Sequence, residues 1–212
     1  MGKTEIFLTA WIVGFSGAMM PGPLLTVTVN ESLRRGVKAG PLLVLGHAVL
    51  ELALVSGMIT GLSLVVRKPA VTAVIGIAGG GFLFFMGFDM VKNAVRGTIS
   101  LNLEGTGEQK GFGPVMAGIL TSLSNPYWSL WWATIGLGYL TMARKFGLGG
   151  VALFFVGHIL ADFAWYTLVS GAVAGGRRFI SNRVYRGIIA ICGLFLLGLA
   201  LDFLWGGISY FV

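Results

Sequence analysis

The sequence predicts an all-α integral membrane protein of six transmembrane helices, arranged as two inverted three-helix repeats with the first and fourth helices broken. Three observations predict it: long apolar runs, a scarcity of charge, and paired motifs that recur in the same order in both halves. Of 212 residues, 56% are hydrophobic and 11% charged, whereas a soluble domain carries roughly 25% charged residues. A mean hydropathy of +0.86 and 34 glycines agree, because glycine is commoner in membrane helices than in soluble ones.

A span needs about 20 predominantly apolar residues. By that rule the spans are Ile6 to Val29, Pro41 to Val66, Val71 to Val91, Gly113 to Met142, Gly150 to Ala174 and Gly187 to Val212. Their continuous apolarity favours helices over a barrel, whose strands alternate every second residue. Lys3 is offset by Glu5, and the first run continues past signal length, so it is expected to be a retained span. Gly2 does not announce myristoylation, since Ile6 stands where that motif wants Ser or Thr. The chain is thus one transmembrane domain over residues 1–212. It divides into a first repeat at about 6–91, a linker at about 92–112 carrying Glu104, Glu108 and Gln109, and a second repeat at about 113–212.

Basic residues set the orientation. The first, third and fifth linkers hold Arg34, Arg35, Lys38, Lys92, Arg96, Lys110, Arg177, Arg178, Arg183 and Arg186. The opposite side holds Lys3, Arg67, Lys68, Arg144 and Lys145. That bias puts the odd linkers in the cytoplasm and both termini on the outer side. The net charge of +7 is accordingly an orientation signal, and no nucleic-acid partner is expected. Cys192 is the one cysteine and lies mid-span, which excludes a disulfide framework or a cysteine-based metal cluster.

The repeat is the most informative pattern. Gly46-His47-x-x-x-Glu51 in the second span is echoed by Gly157-His158-x-x-x-Asp162 in the fifth. Gly80-x-Phe82-Leu83, followed by Asp89, is echoed by Gly193-x-Phe195-Leu196, followed by Asp202. Pro21-Gly22-Pro23 interrupts the first span and Asn125-Pro126 the fourth. Because each half has an odd number of spans, the second must enter the membrane from the other side, as in many secondary transporters.

Two constellations carry chemistry. Proline removes a helix hydrogen bond and clashes with the preceding turn, so Pro21-Gly22-Pro23 is expected to break its helix. Asn125-Pro126 has the form of a restart, with Asn125 as N-cap and Pro126 in the first turn. A helix N-terminus inside the membrane offers free N–H groups and partial positive charge, which suit a carboxylate. A single proline more often means a kink, but breaks at matching places in two halves point to a substrate site.

The second constellation is the pair of His–acid motifs. Residues four apart share a helix face, so His47 sits with Glu51 and His158 with Asp162. Ionisable groups at membrane depth usually line a bundle interior or a water-filled path. They serve as inter-helix hydrogen-bond partners, as a proton-coupling or substrate site, or as divalent-cation ligands in the set His47, Glu51, His158 and Asp162. Asp89 and Asp202 lie near span ends, where an interfacial packing role competes with function. Gly57-x-x-x-Gly61, Gly76-x-x-x-Gly80 and Gly171-x-x-x-Gly175 are expected to allow close helix approach. Trp128, Trp131, Trp132 and Tyr139 follow Asn125-Pro126 as packing or interface aromatics, and Trp165 and Tyr166 are weaker candidates for lining a cavity.

Over essentially its whole length the chain resembles the LysE/RhtB family of amino-acid exporters. Pro21-Gly22-Pro23, Gly46-His47, the glycine-rich third span ending near Asp89, and Asn125-Pro126 carry the resemblance. It implies a six-span, often dimeric exporter in a prokaryotic cytoplasmic membrane, driven by the proton-motive force. Pro21, Gly22, Pro23, Asn125 and Pro126 stand at its motif positions. Tyr127 follows Asn125-Pro126 where many members carry a basic residue, and the wider superfamily includes exporters of metal ions.

The resulting expectation is a carrier working by alternating access, not an enzyme, with lipid, an amino acid and protons as partners and no cofactor. Pro21, Gly22, Pro23, Asn125, Pro126, Glu51 and Asp162 are the candidate substrate-binding residues. Glu51, Asp162, His47 and His158 are the candidate proton-coupling residues. A divalent-cation exporter is the alternative, and a non-transporting scaffold is disfavoured because it has no need of exposed backbone at membrane depth.

Overall fold

The computed structural model describes residues 2–66, 68–99, 113–176 and 181–212. Arg67, Glu104, Glu108, Gln109, Lys110, Arg177 and Arg178, with most of the central linker, lie outside the described residues. Among the described residues the regular structure is entirely helical.

Helix α1 (Lys3–Ala18) is followed by a turn over residues 19–22 and α2 (Pro23–Arg35). A short turn at Gly36–Lys38 leads to α3 (Ala39–Gly57), and α4 (Ser63–Val66) follows. Next come α5 (Pro69–Arg96), α6 (Pro114–Leu123), α7 (Pro126–Trp131), α8 (Leu137–Arg144), α9 (Gly147–Gly176) and α10 (Asn182–Ile208). Among the described residues four segments, against the six spans expected, are long and apolar enough to cross a membrane: Pro23–Val66, Pro69–Arg96, Gly147–Gly176 and Asn182–Ile208. Large apolar side chains such as Phe85, Val95 and Leu168 point outward and are mostly exposed, which suits contact with lipid.

Local chemistry sets the helix ends. Pro23, Pro69, Pro114 and Pro126 all stand in first turns, where a missing N–H costs nothing. Ser181 accepts a hydrogen bond from the Val184 N–H at 3.3 Å and starts α10 earlier than the apolar run begins. Gly97, at φ 71°, ends α5 in the left-handed region that favours glycine. Arg186 then donates to the carbonyls of Gly97 at 2.7 Å and Ile99 at 2.9 Å.

Two regions depart from simple helices where no break was expected. Met58–Leu62 widens into a π-turn with Gly61 at φ 140°, and Trp132–Gly136 widens between α7 and α8. Such wide turns recur at functional sites. The glycine motifs also separate in use. A Cβ on Gly76 or Gly80 would approach Phe203, Leu204 and Ala200 of α10 within 3.2 Å, so this pair does allow close approach. Among the described residues nothing lies within 4 Å of a Cβ on Gly171 or Gly175, and Gly61 is not in helical geometry, so those two motifs join no described helices.

The most extensive contacts pair α5 with α10, α1 with α9, and α3 with α6. One apolar cluster at the basic end joins Val29 and Leu33 of α2, Ala94 of α5, Val173 of α9, and Tyr185 and Ile189 of α10. Another at the opposite end joins Ile6 and Ala10 of α1 to Val55, Trp132, Leu140 and Phe154. Between these apolar ends lies a polar layer.

A candidate transport site at the helix breaks

The polar layer is built by α3 and α9. Gly46 lets α3 press on α6: a Cβ there would fall 1.8 Å from the Val115 carbonyl. Gly157 does the same for α9 on α1, with the Phe7 carbonyl at 2.6 Å. The next residue in each motif is the histidine, so close packing at glycine aims His47 and His158 inward. One turn on, Glu51 and Asp162 share their faces.

All four groups meet, each less than a tenth exposed. Glu51 is the hub. Its Oε1 accepts the indole N–H of Trp132 at 2.7 Å and of Trp128 at 2.9 Å. His47 Nε2 lies 3.0 Å from Oε1, and His158 Nε2 lies 3.1 Å from Oε2. His47 Nδ1 pairs with Ser122 Oγ of α6 at 2.7 Å. The His158 ring is sandwiched in aromatics, stacked on Trp131 with centroids 4.6 Å apart. Asp162 differs: its Oδ2 is 3.8 Å from His47 and 3.7 Å from His158, and it is buried without a hydrogen-bond partner. A buried polar atom left unpaired costs about 1–3 kcal/mol, and Glu51 Oε2 and His158 Nδ1 are likewise without a hydrogen bond among the described residues.

The four groups border a cavity of about 50 Å³. A water needs roughly 10–15 Å³ measured this way, so the cavity takes a few waters or one small polar group. Pro21, Gly22 and Asn125 line it, with Tyr127, Trp128, Trp131, Tyr166, Leu196 and Leu199 among the walls. The segment before α2 and the segment before α7 adjoin at it: a Cβ on Gly22 would lie 3.9 Å from Asn125 Nδ2. Asn125 accepts a hydrogen bond from the Tyr127 N–H at 3.1 Å and so occupies the N-terminus of α7. Gly22 has no side chain to cap α2, leaving its first-turn N–H groups open. Pro23 is buried at the start of α2 and is not among the lining residues, and Pro126 opens α7.

Sequence reasoning placed the aromatic run at an interface or in packing and missed two Glu51 ligands. Trp128 and Trp132 are four residues apart directly after the break, hence on one face beside it, which was the available signal. Ser122 carried no signal, since its partner lies on another helix. Tyr166 lines the cavity; Trp165 does not, and its indole nitrogen is buried without a partner.

A multi-pass helical membrane protein with ionisable groups lining a central cavity has the makings of a translocator. The comparisons agree, and the chain belongs to the LysE type translocator family, whose model matches residues 15–207. It is 28% identical over 196 residues to the chemotactic transduction protein ChpE of Pseudomonas aeruginosa, covering 92% of this chain and 95% of that one. It is 27% identical over 176 residues to the threonine efflux protein of Escherichia coli K12, covering 80% and 82%. With the threonine efflux protein of Salmonella typhimurium it shares 25% over 174 residues, again 80% and 82%. No solved structure matches.

Proposed function

We propose that the protein exports a small neutral amino acid across a prokaryotic cytoplasmic membrane by proton antiport. It would work as six spans in two inverted repeats, with both termini outside. The observation that carries this is Asp162, a buried carboxyl bordering the central cavity, whose Oδ2 takes no hydrogen bond and stands 3.8 Å from His47 and 3.7 Å from His158.

Helix pairing supports the inverted repeat. Exchanging the halves turns the pairing of the broken first span with α9 into that of the broken fourth span with α3, and both are among the largest contacts. The α5–α10 pair maps onto itself, and Leu83 packs with its counterpart Leu196.

The site, once widened from its present volume of about 50 Å³, would suit a zwitterion. Open N–H groups at the start of α2 would hold the carboxylate, and Asn125 would add a hydrogen bond. Asp162 would receive the ammonium group. Glu51, fixed by two indoles, would keep His47 and His158 in place and help hold the coupling proton. A proton entering from outside would neutralise Asp162 and release the ammonium, so an inward proton gradient drives substrate outward. Tyr127, in place of a basic residue, leaves the wall uncharged. The threonine efflux relatives indicate a substrate of similar size. Many members of the family are thought to be dimers, and a homodimer is the proposed assembly.

Glu51→Gln and Asp162→Asn test the roles directly. Both proteins should fold and lose gradient-driven efflux, whereas unchanged coupling in both variants would overturn the assignment.

A second reading has one observation in its favour. Ligand atoms of His47, Glu51 and Asp162 lie within 4.8 Å of one another, close enough to hold a divalent cation. It predicts cation efflux from vesicles and loss of cation binding in His47→Ala.

A further inference from the structure

Two of the pockets outside the central cavity lie at opposite ends of the molecule. One, of about 420 Å³ at the basic end, is lined by Asn30 of α2, Asp89, Met90 and Asn93 of α5, and Tyr185 and Ile189 of α10. The other, a groove of about 680 Å³, is lined by Asp202, Phe203 and Gly206 of α10, Thr72 and Gly76 of α5, and Tyr127 of α7. The register that sets Gly80 on Gly193 also sets Asp89 on Asp202, Met90 on Phe203 and Asn93 on Gly206. It likewise sets Thr72 on Tyr185 and Gly76 on Ile189. The two pockets are therefore one structure built twice, each with an exposed aspartate.

We propose that they are the two vestibules of the transport site, water-filled and open to opposite faces of the membrane, in which Asp89 and Asp202 first and last meet the substrate's ammonium group. The proposal rests on the inverted arrangement given above. An exposed carboxylate facing hydrocarbon is costly and is tolerated where it lines water. Both volumes fall in the size range of small-molecule sites.

The pockets differ in their distance from the central cavity. Tyr127, Trp131 and Leu199 line both the groove and the cavity, so the partition there is one side chain thick. Tyr127 closes it: its hydroxyl donates to the Ser16 carbonyl at 3.3 Å, and its ring stacks on Phe203 with centroids 6.4 Å apart. Among the described residues the Asp89 pocket shares no lining residue with the cavity. The structure thus stands with the Asp202 side the nearer to opening, and Tyr127 is the gate on that side.

Sided labelling of the full chain tests this. Single cysteines are placed at Asn93 and at Gly206, where a Cβ meets nothing within 4 Å, in a Cys192→Ser background. Each is exposed to a membrane-impermeant cationic thiol reagent in spheroplasts and in inside-out vesicles. The expected result is reaction of Gly206→Cys in spheroplasts alone and of Asn93→Cys in inside-out vesicles alone. Reaction of both from one face would overturn the proposal. So would a cysteine that reacts in detergent and from neither face in the membrane, the behaviour of a lipid-filled groove. Labelling needs no transported solute. Sided labelling without amino-acid efflux would therefore remove the substrate and leave the vestibules standing.

Discussion

At the scale of single residues, the two carboxyls of the site differ in their surroundings. Glu51 takes two indole N–H donors on Oε1 and lies 3.0 and 3.1 Å from the two imidazoles, while Asp162 Oδ2 takes no hydrogen bond and lies 3.8 and 3.7 Å from the same rings. Trp132→Phe removes one donor to a charged acceptor, worth about 1.5–3 kcal/mol. That variant should unfold at lower temperature in detergent and transport more slowly. Asp162→Asn should instead keep its thermal stability or gain some, because an unpaired buried carboxyl is replaced by a neutral amide, while coupled efflux is lost. A thermal-shift assay run beside efflux separates the two roles. The acids and histidines were legible in the sequence, since an ionisable group among apolar residues declares itself. Trp128, Trp132 and Ser122 were not legible as ligands, because an indole or hydroxyl inside an apolar run fits packing equally well and its partner is distant in sequence.

At the scale of elements, glycine decides which helices touch. Gly46, Gly118 and Gly157 each bring a backbone against a neighbouring carbonyl, with a built Cβ 1.8, 2.0 and 2.6 Å away. Overpacking a well-filled core costs about 1–3 kcal/mol, so Gly46→Ala and Gly118→Ala should lower folded yield and melting temperature. Gly198→Ala, which meets nothing within 4 Å, should be silent in the same assays. Asn125→Ala loses the cap on Tyr127 and should cost about 1 kcal/mol. The all-helical, apolar character was legible from the long runs, and the helix start at Pro126 from Asn125-Pro126; the starts at Pro23, Pro69 and Pro114 were not read. The wide turns at Met58–Leu62 and Trp132–Gly136 were not. They lie inside continuous apolar runs, and nothing in the local sequence separates an i→i+5 turn from an ordinary one. Nor does the small-x-x-x-small spacing say which glycine pairs are used: Gly76 and Gly80 meet a partner helix, whereas Gly171 and Gly175 do not.

At the scale of the whole molecule, apolar clusters at each end enclose a polar middle where α3 and α9 bring their motifs together. A short echo in sequence, Gly-His and an acid four residues later, becomes two helices meeting across one cavity. The echo could be read from one chain. The equivalence of the Asp89 and Asp202 pockets could not, because it depends on which faces of α5 and α10 turn away from each other. With both termini outside, as proposed, a C-terminal tag should be cleaved by protease added to intact spheroplasts, and protection would reverse the orientation.

The central claim is proton-driven export of a small amino acid through the Asp162 cavity. Its most direct test is efflux from proteoliposomes loaded in turn with a panel of labelled amino acids, with and without an imposed pH gradient. Saturable efflux of a small neutral class, accelerated when protons run against it and lost in Asp162→Asn, is the expected result. Folded protein that moves no amino acid under either condition would contradict the claim.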